Sequence, residues 1–123
     1  MSISNYAENE LLDAVFNNGS FAVASTFVKL HTGDPGEACT ANPAAHTTRV
    51  AASWSTASGG TVSNDAAVTF SSLTAAETIS HISIWDASTS GNALWYGPLV
   101  SPRSVAVNDT LSFAVGDIVV TLD

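Results

Sequence analysis

The sequence predicts a mainly β protein: an antiparallel, jelly-roll-like β-sandwich of about eight strands with one short N-terminal α-helix. Three observations predict it. Short period-two runs, of which Thr78 to Trp85 is among the strongest, recur roughly every eight to twelve residues. Turn-forming clusters separate them, among them Gly33-Asp34-Pro35-Gly36, Ser58-Gly59-Gly60, Asn108-Asp109 and Gly116-Asp117. Helical spacing occurs once, at the start of the chain.

That start reads as a helix capped by Asn5, with Glu8 placed to complete a capping box. Glu8 and Glu10 in the first turn suit the helix dipole. Ala7, Leu11, Leu12, Val15 and Phe16 form one apolar face, and Asn17-Asn18-Gly19 ends the helix. About three turns are too few to be stable alone. The helix is therefore expected to cover the domain's own core, with docking on a partner as the alternative.

Phe21 to Ser25 is ambiguous. Thr26 to Thr32 is a strand with Val28 and Leu30 on one face and Lys29 and His31 on the other. Residues 33–48 read as a long polar loop, a length often functional or laid against a partner. Strand patterns follow at Arg49 to Thr56, Thr61 to Asn64 and Ala66 to Phe70. In Thr78 to Trp85, Ile82 and Ile84 face one way, and Ile79, His81, Ser83 and Trp85 the other. Asp86 to Asn92 reads as a hairpin loop, and Ala93 to Tyr96 as the return strand, closed by Gly97-Pro98. Ser104 to Val107, Thr110 to Val115 and Ile118 to Leu122 complete the set. The whole of 1–123 is read as a single domain, with 1–19 as its helical segment.

Composition narrows the function. Lys29, Arg49 and Arg103 stand against eleven acids, for a net charge of −8. Nucleic acid and anionic membrane surfaces are thereby excluded as expected partners, because both need clustered cations. Charged residues make up only 11% of the chain, while 17 Ser and 13 Thr fill the polar positions. So little charge suits a subunit of an assembly better than a free monomer. Cys39 is the only cysteine, which rules out an intrachain disulfide. Neither a signal peptide nor a run of transmembrane length is expected.

No residue set predicts catalysis, a cofactor or a metal. His31, His46 and His81 lack the spacing of converging zinc ligands. Asp86 to Gly91 resembles the start of a calcium loop, but Gly97 stands where a bidentate Glu is needed. Asp34 and Glu37 share a Gly-Pro turn, where acids usually end a strand and stay solvated, not flank a sugar groove. There is no G-x-S-x-G elbow and no phosphate-cradling loop. Trp54, Trp85, Trp95 and Tyr96 are expected in the core or at a subunit interface, with a sugar platform as the alternative.

Several motifs resemble a family of small bacteriophage virion proteins, described as tail fibre proteins and in some phages as capsid decoration (cement) proteins. The likeness is carried by A-V-F-N-N-G (Ala14 to Gly19), V-K-L-H-T-G-D-P-G-E (Val28 to Glu37) and Arg49-Val50. It continues in I-S-H-I-S-I-W-D-A-S-T-S-G-N-A-L-W-Y-G-P-L (Ile79 to Leu99) and in the final stretch from Asn108 to Asp123. The resemblance implies a structural component of a phage particle and brings no catalytic residues. Without heptads, collagen-like or β-helix repeats for a shaft, the expectation is a capsid decoration protein bridging capsomers. It would be a homotrimer on the major capsid protein. The alternative is a tail fibre or tail-associated module that binds other tail proteins or a host surface glycan. Interface residues are expected at Asp34, Pro35 and Glu37 in the long loop, at Arg49, and at Trp95 and Tyr96.

Overall fold

A computed structural model describes residues 1–122. The expected mainly β, antiparallel architecture with one helix is present. Nine strands occur among the described residues: β1 (Ser2–Ile3), β2 (Thr26–His31), β3 (Val50–Ala52), β4 (Thr61–Ser63), β5 (Val68–Phe70), β6 (Glu77–Trp85), β7 (Ala93–Val105), β8 (Leu111–Phe113) and β9 (Val119–Thr121). The helix α1 spans Asn5–Phe16.

The arrangement is an uneven sandwich. One layer is a five-stranded sheet ordered β1-β7-β6-β2-β3, and the other consists of two ribbons, β4-β9 and β5-β8. Val28, Leu30, Ile79, Ile82 and Ile84 form a single apolar core with Val68, Phe70, Leu111, Phe113, Ile118 and Val120 of the second layer. Phe70 and Phe113 meet edge to face at 6.3 Å, a favoured aromatic geometry. The chain crosses between layers just after β3, where Trp54 bridges to Asn64 and the Ser55 amide donates to the Ser63 carbonyl. Such strand crossings form the corners of sandwiches.

Asn64 is a fully buried polar hub behind that corner. Its amide nitrogen donates to the Ala66 and Ala114 carbonyls, both at 2.9 Å, and its side-chain oxygen accepts from the Ile118 amide at 2.9 Å. Satisfying every polar atom makes the burial tolerable and fixes the 114–118 turn against β4.

Local differences from the sequence expectations have physical causes. Ser4, not Asn5, caps α1: its extended backbone presents Oγ to the Ala7 amide at 3.2 Å. The missed strand β1 places Ser4 there by pairing with Trp95 and Tyr96. Gly97-Pro98 does not end the return strand; β7 runs through to Val105 and absorbs the segment expected at Ser104 to Val107. Gly97 sits where a Cβ would meet Met1 Cγ at 2.8 Å, so the chain start passes over a position that only glycine leaves open.

Two bulges reset side-chain direction. Register jumps from Ile79↔Arg103 to His81↔Pro98, which loops out Leu99 to Pro102 and returns Ile79 to the core side, opposite to the expected alternation. At the other end Ile84 pairs Trp95 and Trp85 pairs Ala93, so Leu94 is the extra residue and packs into the core with Ile84. At Gly59-Gly60 the expected turn forms with φ of 59° and 76°, values that glycine adopts without strain.

Candidate functional site

Helix α1 carries two apolar stripes. Ala7 is fully buried and Leu11 and Ala14 are half-buried against the domain. Leu12, Val15 and Phe16 lie on an adjoining stripe turned to solvent, exposed by 56%, 71% and 76%. The expected single face is therefore split, and only its Ala7 side covers the core. An i, i+3, i+4 row of large apolar side chains on solvent is a surface with room for a partner.

An apolar groove of about 360 Å³ is walled by Trp54, Trp95, Phe21, Ile84, Leu94 and Val120, among others. Trp54 is anchored by Nε1 donating to Thr26 Oγ1 at 2.7 Å. Trp85 lies apart from both, buried with Cys39, Ala93 and Tyr96 on the other face of the sheet. The tryptophans thus do not share one surface.

The outer face of the sheet is covered by the 33–48 loop, which is folded back instead of extended. Asp34 Oδ1 accepts from the Gly36 amide at 2.9 Å, forming an Asx turn. The Ala41 amide donates to the Pro35 carbonyl at 3.0 Å, and the Ala44 amide to the Leu30 carbonyl at 3.1 Å. Beneath the loop, buried His31 links it to the sheet. His31 Nδ1 lies 2.9 Å from the Ala41 carbonyl oxygen, and Nε2 lies 2.7 Å from Ser83 Oγ. Trp85 Nε1 donates to the same Ser83 oxygen at 2.8 Å. A neutral ring protonated at Nδ1 satisfies this chain, with the Ser83 hydroxyl donating to Nε2. Burial, the largest cause, lowers the His31 pKa. Burial and then Asp34 push the Cys39 thiol up to about 12, which leaves it unreactive.

Arg49 stacks its guanidinium 3.9 Å from the Trp85 ring centre. Its Nη1 donates to the Ala87 and Ser90 carbonyls at 2.8 and 2.7 Å, tying down the 86–92 hairpin loop. Lys29 lies over the same indole at 5.9 Å. Asp86, the first acid of the calcium-like stretch, accepts from the Asn92 amide at 2.7 Å and from its side chain at 2.9 Å. Among the described residues no group of three His, Cys, Asp or Glu is placed to hold a metal.

The expected interface residues are dispersed. Asp34 and Glu37 are exposed, Pro35 is buried, and Arg49, Trp95 and Tyr96 are half-buried. Trp95 faces the apolar groove, while Tyr96 packs on the Trp85 cluster, where burial and then Glu37 raise its pKa. Sequence reasoning assigned the Leu12–Phe16 stripe to the core and did not single out Lys29. Helical spacing signalled the stripe but not its direction.

A small β domain with few charges and an uncovered apolar helix face has the make-up of a structural subunit. The family described as Podophage GP4 fiber I protein gp80 matches residues 2–121, and the chain belongs to it. It is therefore a bacteriophage structural protein associated with the virion. No curated protein matches the chain.

Proposed function

We propose that this chain is a non-enzymatic component of the phage's tail fibres, attached to a neighbouring virion protein through the Leu12–Val15–Phe16 stripe of α1. The observation that carries this is the stripe itself, left on solvent in a chain matched almost end to end by a fibre family. Exposed apolar rows of this kind mark protein contacts more often than free surface. A homotrimer is the expected state of the free protein, and light scattering checks it.

The decisive test is localisation by cryo-electron microscopy of intact particles, together with particles carrying Phe16→Ser. Density at the tail, lost in the variant while the isolated variant melts like the wild type, is the expected outcome. Density repeated over the capsid lattice would overturn it in favour of decoration on the major capsid protein. That second role is favoured by one observation, a compact sandwich with no shaft of its own.

A further inference from the structure

Lys29 and Arg49 are two of the three cations in the chain. The fold sets them side by side. The β2–β3 register runs Thr26↔Ala52, Phe27↔Ala51, Val28↔Val50, and its continuation brings Lys29 opposite Arg49. Directly opposed like charges destabilise a strand pair. The Trp85 indole offers its ring to both, at 5.9 Å from the Lys29 nitrogen and 3.9 Å from the Arg49 guanidinium carbon. One ring offsets only part of the repulsion between two cations.

No acid among the described residues forms an ion pair with either cation. Among the described residues the one ion pair is Arg103–Asp117, on another part of the surface. Asp86, whose charge acts on Arg49 from a distance, has both oxygens on Asn92. Arg49 commits Nη1 to two carbonyls, and its other N–H groups and the Lys29 ammonium have no acceptor among the described residues. Lys29 accordingly holds its proton less tightly than usual, through burial first and Arg49 second. None of the described acids pairs directly with Lys29 or Arg49, and Asp86 acts on Arg49 only through space. The rim is the hairpin loop that Arg49 holds, with Ser88, Thr89 and Ser90 exposed.

We propose that Lys29 and Arg49 form a binding site for the carboxylate of an acidic saccharide. Two adjacent cations with free N–H donors suit one carboxylate, which forms charge-assisted hydrogen bonds to both. The hydroxyl-bearing rim suits a hydroxylated ring beside that carboxylate. The indole is a floor that positions Arg49 and is too buried to stack on a sugar itself. The site is independent of the α1 stripe and of where on the particle the protein sits.

The test is calorimetric titration of the full chain with a galacturonic acid trisaccharide and with sialyllactose, each beside its uncharged parent sugar. At least one acidic sugar is expected to bind about tenfold or more tighter than its parent. Lys29→Gln is expected to lose that preference while melting at or above the wild-type temperature, because the repulsion is gone. Lys29→Arg is expected to keep it. The proposal is overturned if neither acidic sugar outbinds its parent, or if Lys29→Gln binds as the wild type does.

Discussion

On the inner face of the five-stranded sheet, Val28, Leu30, Ile82 and Ile84 meet Phe70, Phe113 and Ile118 of the ribbons. On the outer face, His31, Ser83, Trp85 and Arg49 meet a folded loop and a hairpin. The inner contacts are non-directional and share their load over many side chains. The outer contacts are a relay of hydrogen bonds in which single atoms join several groups, as Ser83 Oγ joins His31 and Trp85. The same strands thus carry two kinds of cohesion. Losing volume injures the first, and losing a single polar atom or adding a proton injures the second.

The largest effect should come from the inner face. Phe70→Ala is expected to cost about 3–5 kcal/mol in urea unfolding, because its cavity lies between rigid layers. A loss under half of that would mean that the ribbons collapse onto the sheet and that the inner face is less rigid than described. Ser83→Ala removes one oxygen from the outer face and leaves both His31 Nε2 and Trp85 Nε1 unpartnered. About 1–3 kcal/mol is expected, with amide exchange of the 33–44 loop accelerated more than that of the core. Equal acceleration throughout would erase the distinction between the faces.

On the outer face, acid should act through His31. The folded state holds His31 neutral with a pKa below its ordinary 6.5, while the unfolded chain protonates near 6.5. The unfolded state therefore binds more protons in that range, and stability falls as pH drops below 6.5 until the folded-state pKa is passed. Above 6.5 this contribution is intact. Thermal melts across the range should show a slope that His31→Asn flattens. The smallest effect belongs to neither face: Phe16→Ser should shift isolated-domain stability by no more than about 0.5 kcal/mol, since Phe16 packs on little.

What was legible in the sequence was local. Gly59-Gly60, Asn108-Asp109 and Gly116-Asp117 turn the chain where their chemistry says, because a left-handed φ is decided within a few residues. The direction of Ile79 was not legible, since a bulge depends on the partner strand. Pro98 read as a stop because β7 was judged alone, although it continues beside β6. The helix posed a different difficulty. Its apolar residues fit two stripes, and periodicity cannot say which one the domain takes. The Lys29–Arg49 pair needed the β2–β3 register, which links residues twenty positions apart. The cap was misplaced by one residue because Ser4 is set by β1, whose partner lies at the far end of the chain.

That last dependence has a kinetic side. The Ser4 amide donates to the Leu94 carbonyl and its hydroxyl to the Ala93 carbonyl, a sequence separation of 89 residues for the latter. During synthesis α1 leaves the ribosome well before β7, the strand it docks on. A helix of 12 residues is marginal in water by itself. Most of the chain must therefore be made before the first segment finds its seat. Contacts of such long range slow folding. The Leu12–Phe16 row is left on solvent by the finished fold as well, so a partner of the proposed kind would find it uncovered both before and after α1 docks.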